Sequence, residues 1–93
     1  MLLVEKVRER AVDLKFGEWL LFKRKRSRKS QIAVAAVLGV AKQSVGNWEN
    51  DRSIPTLTPL QVLQYCRLLD VSLEEMAEEM KRSPLHDPAE VAA

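Results

Sequence analysis

The feature that most constrains this chain is a pair of short helix-like segments separated by only three residues. Residues 31–38 place small and branched apolar side chains on one helical face, and Gly39 follows, where positive φ is allowed and a helix can end. In residues 42–50, Val45 and Trp48 are three apart on one face and polar residues occupy the rest. Helices this short and this tightly joined must cross steeply, so the sequence predicts a compact helix pair.

The remainder of the chain predicts more helices and no strands. Residues 2–14 have amphipathic spacing, residues 17–27 contain aromatic and basic residues without proline, and Thr58-Pro59 and Ser72 mark two further helix starts. We therefore expect an all-α fold with five helices in residues 16–81, an N-terminal helical extension over residues 1–15 and a flexible tail over residues 82–93. The large apolar residues expected in the core are Trp19, Leu20, Phe22, Trp48, Leu60, Leu63 and Leu68.

Composition excludes several classes of function. A chain of 93 residues holds about one domain, and one cysteine and one histidine are too few for an internal disulfide or a metal site. No cofactor motif is visible, and the acidic residues after Ser72 lack a paired acid and base geometry, so we expect no cofactor, no bound metal and no enzymatic activity. Apolar runs are far shorter than the ~18 residues of a membrane span, and the expected location is the cytoplasm.

Charge is distributed unevenly along the chain. Residues 1–52 contain twelve Lys/Arg against six Asp/Glu, whereas residues 53–93 contain three against seven. Six of the cations fall within the seven residues 23–29, where they repel one another. An anionic polymer as partner explains such a run most simply, and a solvated basic surface is the alternative.

The stretch QIAVAAVLGVAKQSVGNWEN, residues 31–50, resembles the helix-turn-helix unit of the lambda-repressor-like (Cro/repressor, Xre-type) family. The register combines Ala35 at the close approach of two helices, Gly39 at the turn, the pair Trp48-Glu49 and the later Pro55. The resemblance extends over roughly residues 16–80. It implies that residues 42–50 form a recognition helix that enters the major groove of double-stranded DNA.

The resemblance also implies roles for individual residues. Lys42, Gln43 and Asn47 occupy base-contacting positions, and their side chains suit guanine and adenine; the alternative is three ordinary surface residues. Gln31 is expected to contact a phosphate and to brace Gln43. The other expected contacts to the DNA backbone are Ser44, Asn50, Lys23, Lys25, Arg26, Arg28 and Lys29.

Two positions are expected to be structural, and three depart from the family pattern, one of them Lys29, where the family usually has an apolar residue. Arg24 is implied to pair with Glu49, which would hold the first helix against the recognition helix. Ala41 stands where the family has a Ser or Thr N-cap, and Asp51 replaces a glycine.

The predicted function is sequence-specific binding of double-stranded DNA by a transcription regulator, a repressor or autoregulator. A single short recognition helix makes few base contacts, so a homodimer is expected, joined through the last helix with Met76 and Met80 or through the N-terminal segment. The alternative is a protein-interaction module or antitoxin that binds a partner protein through the N-terminal segment or the last helix.

Overall fold

The computed structural model describes residues 14–86 and contains, within them, five helices and no strand. The helices are α1 (Phe16–Arg26), α2 (Gln31–Leu38), α3 (Lys42–Glu49), α4 (Pro59–Leu69) and α5 (Leu73–Met80). The prediction of an all-α, five-helix domain is therefore confirmed. The predicted N-terminal helix lies outside the described residues, apart from the last positions of the 1–15 range.

Local capping explains where several helices begin and end. The side chains of Ser30, Thr58 and Ser72 each accept a hydrogen bond from the backbone N–H three residues later, which satisfies one free donor at the start of α2, α4 and α5. Gly39 ends α2 at φ 70°, in the left-handed region. By contrast, Ala41 precedes α3 with no side-chain cap, as its methyl group dictates.

The core is formed by the inward faces of all five helices. Its most buried large side chains include Phe16, Leu20, Tyr65 and Leu69, each at most 1% exposed. The two aromatic contacts within it join Phe16 to Trp19, stacked at 6.0 Å between ring centroids, and Trp48 to Tyr65, tilted at 5.7 Å. The other core members are Val34, Ala35, Leu38, Val45, Cys66 and Met76.

Three of the residues expected in the core are exposed instead. Phe22, Leu60 and Leu63 are 47%, 65% and 41% exposed, and Leu68 is only partly buried against the core. In α4, the inward face is the one that carries Tyr65, Cys66 and Leu69, so the two leucines near its start lie on another side. α4 is apolar on several faces, and its sequence alone therefore did not identify the packed one.

The apolar side of α5 also faces inward. Met76 is 2% exposed and Met80 packs against the same core. Met76 is therefore covered by intramolecular packing and not available to the expected dimer surface, whereas Met80 is half-buried and the dimer itself stays a prediction. None of the described helices is long and apolar enough to cross a membrane.

The described chain continues past the expected domain end at residue 81. Backbone N–H groups of Ser83 and His86 donate to the carbonyls of Met80 and Ser83, and Ser83 is buried at 7% exposure. Residues 82–86, assigned from sequence to the flexible tail, thus form hydrogen-bonded turns against the domain. Residues 87–93 lie outside the described part of the chain.

Candidate nucleic-acid interface

The two sides of α3 have different environments. Val45, Trp48 and Glu49 point inward and are buried, at 0%, 6% and 5% exposure. On the opposite side, Lys42 and Gln43 are exposed, and the residues that follow them one turn later are half-buried. α3 is therefore anchored by one face and presents the other to solvent.

A shallow groove runs along the outward face of α3. It brings together all three residues predicted to contact bases, and one neighbour from α2. The lining residues are Gln31, Lys42, Gln43, Gly46, Asn47, Asn50 and Arg52. Amide groups dominate this set, and each amide carries both a donor and an acceptor, as does the edge of an adenine.

Arg52 belongs to this groove although it was not among the predicted contacts. It follows the end of α3, where its backbone N–H donates to the carbonyl of Asn47, and its side chain is exposed. The sequence signal that could have indicated Arg52 is a single cation just after the predicted recognition helix. Asn50, which was predicted, lies in the groove with its side-chain Nδ2 donating to the Gly46 carbonyl at 2.8 Å. Ser44 does not line the groove and is half-buried.

A buried ion pair joins α1 to the end of α3. Nε of Arg24 lies 2.6 Å from Oε2 of Glu49, and an Nη2 donates to Oε1 at 3.1 Å. The side chains are only 10% and 2% exposed, and the remaining Nη1 donates to the Lys29 carbonyl at 2.9 Å. This is the pair that the family resemblance implies. The two-point geometry fixes the guanidinium plane and thereby the relative position of the two helices.

Gln31 is held by the same carboxylate. Its Nε2 donates to Oε1 of Glu49 at 2.9 Å, so the expected brace to Gln43 is wrong in this structure. The physical reason is that a buried carboxylate has more lone pairs than Arg24 alone satisfies, and the amide of Gln31 supplies a further donor. The ion pair thus also orients a groove residue.

A second link joins the end of α3 to the start of α1. Asp51 adopts φ 56°, the left-handed conformation that ends a helix, and its Oδ1 accepts a hydrogen bond from the backbone N–H of Gly17 at 2.9 Å. A carboxylate at this place also interacts favourably with the N-terminal end of the α1 dipole. Asp51 therefore performs two structural tasks that its departure from the family glycine did not suggest.

The close approach of α1 to the end of α3 requires a glycine at residue 17. A Cβ added at this residue would lie 2.6 Å from the carbonyl oxygen of Trp48 and 2.7 Å from that of Glu49. Both oxygens are backbone atoms at the end of α3, so they cannot rotate away as a flexible side chain could. The start of α1 and the end of α3 are in direct backbone contact.

The side chains of the basic run, residues 23–29, do not share one environment. Arg24 is buried, and Lys23, whose side chain is 16% exposed, lies with Nζ 3.7 Å from Oε2 of Glu75 on α5. Lys25 and Arg28 are exposed. A separate concave surface between the ends of α1 and α4 is lined by Lys23, Arg26, Ser27, Lys29, Arg67, Leu68, Leu69 and Asp70.

Tyr65 is close enough to the ion pair to interact electrostatically with both Glu49 and Arg24. Its hydroxyl is buried and has no hydrogen-bond partner within the described part of the chain. Burial, with a smaller contribution from the charge of Glu49, raises the pKa of this phenol far above its usual value. The tyrosine is therefore neutral throughout the physiological range and serves as a packing residue against Trp48.

Comparison with known proteins agrees with this architecture. A family profile described as helix-turn-helix matches residues 21–76, more than half of the chain and the whole of α2 to α4. Searches of curated proteins and of solved structures found no match. Among residues 14–86, no group of three or more histidine, cysteine or acidic side chains is placed to hold a metal ion. The chain belongs to the lambda-repressor-like (Xre-type) helix-turn-helix family, a family of DNA-binding transcription regulators.

Proposed function

We propose that this protein is a sequence-specific regulator of transcription, a repressor or autoregulator, that places α3 in the major groove of double-stranded DNA. The observation that carries the proposal is the division of α3 into two faces. Its buried face is occupied by Val45, Trp48 and Glu49, whereas its outward face presents Lys42 and Gln43 in a groove. Polar side chains gathered on a rigidly held helix are what base recognition requires.

The proposed base contacts follow from side-chain chemistry. Gln43 and Asn47 can each form a bidentate pair with N6 and N7 of adenine, and Lys42 can donate to O6 and N7 of guanine. Each good bidentate contact contributes about 1–3 kcal/mol of discrimination against the wrong base. The Arg24–Glu49 ion pair, which holds α3 to α1, would keep these side chains in one register on the DNA.

Contacts to the DNA backbone are proposed for residues around the groove and for the basic run of residues 23–29. Gln31, fixed by Glu49, and the exposed cation Arg52 flank the base-contacting face. Ser44, Asn50 and the basic run would extend the phosphate contacts. The exposed members of the run are Lys25, Arg26 and Arg28. The proposed phosphate contacts of the basic run are Lys23, Lys25, Arg26, Arg28 and Lys29.

A homodimer on a two-fold symmetric operator is part of the proposal. One α3 of eight residues spans few base pairs, and two half-sites about one helical turn apart are the usual solution for such domains. Two-fold symmetry in the protein would appear as a palindrome in the DNA.

The test is a selection from random-sequence duplex DNA at near-physiological salt, followed by sequencing of the retained pool. Enrichment of a palindrome is expected and would support a dimeric, sequence-specific regulator. A retained pool that stays random would refute specific base contacts, and retention of nothing would refute DNA binding itself.

Variants then assign the contacts on the selected site. Gln43→Ala and Asn47→Ala should each weaken binding by roughly 5- to 150-fold, with the melting temperature little changed because neither side chain is buried. Gln64→Ala, which removes an amide from α4 outside the groove, is the matched control and should bind as the wild type does. Equal losses in all three variants would contradict the assignment.

A second candidate is an interaction module or antitoxin that binds a partner protein. The observation that favours it is the set of exposed leucines Leu60, Leu63 and Leu73 on α4 and α5. A protein of this class would be insensitive to Gln43→Ala and Asn47→Ala. Replacing Leu60 and Leu63 by serine would instead abolish its interaction.

A further inference from the structure

Gly46 lies at the centre of the outward face of α3. Lys42 and Gln43 come one turn before it, Asn47 is its neighbour and Asn50 comes one turn after it. All five residues line the same groove. A ligand that fills this groove must therefore contact the one position that has no side chain.

The packing of the protein does not require glycine at this position. A Cβ on Gly46 would meet only the amide of Gln31, at 3.7 and 3.9 Å, which is ordinary van der Waals contact. Of the described glycines, only Gly39 has positive φ, so Gly46 has no unusual backbone conformation to accommodate. Gly17 is the contrasting case, because backbone oxygens fill the space where its Cβ would be.

Glycine is also unfavourable for the helix that contains it. It ranks near the bottom of the helix propensities, and α3 is a helix of eight residues that already lacks a side-chain N-cap. Alanine at this position would fit the domain and favour the helix. The absence of a side chain at residue 46 thus has no structural explanation within the described domain. The remaining explanation is that an external ligand occupies this place.

We propose that Gly46 receives the C5-methyl group of a thymine, so that this position of α3 selects an A·T pair by shape. The inference rests on the proposed function and extends it to one further specificity-determining residue. The methyl of thymine is the apolar group that the four bases present in the major groove. It matches in size the Cβ that Gly46 lacks, and it would contact the apolar Cα of the glycine.

The neighbouring side chains agree with that assignment. Gln43 and Asn47 carry the amides that pair bidentately with adenine. A·T pairs adjacent to one another would thus be selected by hydrogen bonds from these two residues and by a methyl contact at Gly46. Alanine at residue 46 would put a second methyl group where the thymine methyl must be.

The experiment adds a methyl group to the protein and removes one from the DNA, separately and together. Wild type and Gly46→Ala are titrated against the selected duplex and against duplexes in which single thymines are replaced by uracil, which lacks the methyl. At one thymine, the wild type should lose affinity about fourfold with uracil, the effect of one buried methyl group. Gly46→Ala should bind the thymine duplex at least tenfold more weakly than the wild type and should recover affinity on uracil at that same position.

The controls separate the possible failures. Gly46→Ala should have a melting temperature equal to or above that of the wild type, so weaker binding cannot be attributed to unfolding. If Gly46→Ala binds the thymine duplex as tightly as the wild type does, or if no uracil position restores its binding, the inference is wrong while the proposed function stands. If the wild type selects no sequence at all, both the proposed function and this inference are wrong.

Discussion

Replacing Gly17 by alanine tests whether backbone contact between α1 and α3 sets the stability of the domain. The new Cβ would lie within 2.7 Å of three oxygen atoms, two of them backbone carbonyls of Trp48 and Glu49. Ordinary contact needs about 0.8 Å more, so α1 must move away from the end of α3. That movement also weakens the hydrogen bond from Gly17 to Asp51.

The expected change in the free energy of unfolding of Gly17→Ala is the sum of opposing effects. Overpacking costs about 1–3 kcal/mol, and losing a hydrogen bond costs about 1 kcal/mol. The better helix propensity of alanine stabilises α1 by at most about 1 kcal/mol. The net loss of about 2 kcal/mol in the free energy of unfolding corresponds to a melting temperature lower by roughly 10 °C for a domain of this size.

Thermal and urea unfolding, followed by circular dichroism and by the fluorescence of Trp19 and Trp48, measure this loss. Gly46→Ala is the matched control, because there the added Cβ makes only ordinary van der Waals contact and should stabilise the domain by up to about 1 kcal/mol. A Gly17→Ala protein as stable as the wild type would refute the argument that backbone contact at this point limits the fold.

Three further predictions concern the Arg24–Glu49 ion pair, the buried phenol of Tyr65 and the missing side-chain N-cap of α3. Glu49→Ala leaves the guanidinium of Arg24 buried without its carboxylate, so urea unfolding should show a loss of about 3–5 kcal/mol; a loss below 1 kcal/mol would contradict a buried pair. Tyr65→Phe removes a hydroxyl that has no hydrogen-bond partner among residues 14–86 and should leave the free energy of unfolding at pH 7 unchanged or higher. Because the raised pKa makes the folded protein retain a proton that the unfolded chain releases, wild-type stability should decline above about pH 10, and Tyr65→Phe should decline less. Ala41→Ser restores an N-cap and should raise unfolding free energy by about 1 kcal/mol; no increase in melting temperature would show that the cap does not form.

Local signals account for the part of the fold that the sequence predicted well. Ser30, Thr58 and Gly39 act within three residues of a helix end, so their identity and spacing suffice to place the boundaries. The groove residues of α3 were likewise predicted, because the register of the family unit fixes which positions face outward.

Contacts between distant residues explain most of what the sequence did not predict. Gly17 and Asp51 are 34 residues apart, and neither residue has a local pattern that indicates the other. The choice of Glu49 over Gln43 as the partner of Gln31 depends on where a buried carboxylate has a free lone pair. Leu60 and Leu63 were misplaced because α4 offers more than one apolar face, and only packing against the other helices selects between them.

The division of α3 into an anchored and an outward face has a consequence for how such a protein changes over time. The residues that hold the helix in place, Val45, Trp48 and Glu49, are different from those that line the groove. If α3 contacts bases as proposed, substitutions at Lys42, Gln43 or Asn47 would alter the preferred DNA sequence with little effect on folding. Under the proposed function, operator preference would diverge in this scaffold by single steps, each of which leaves a stable protein, and the same independence would make the outward face suitable for deliberate retargeting.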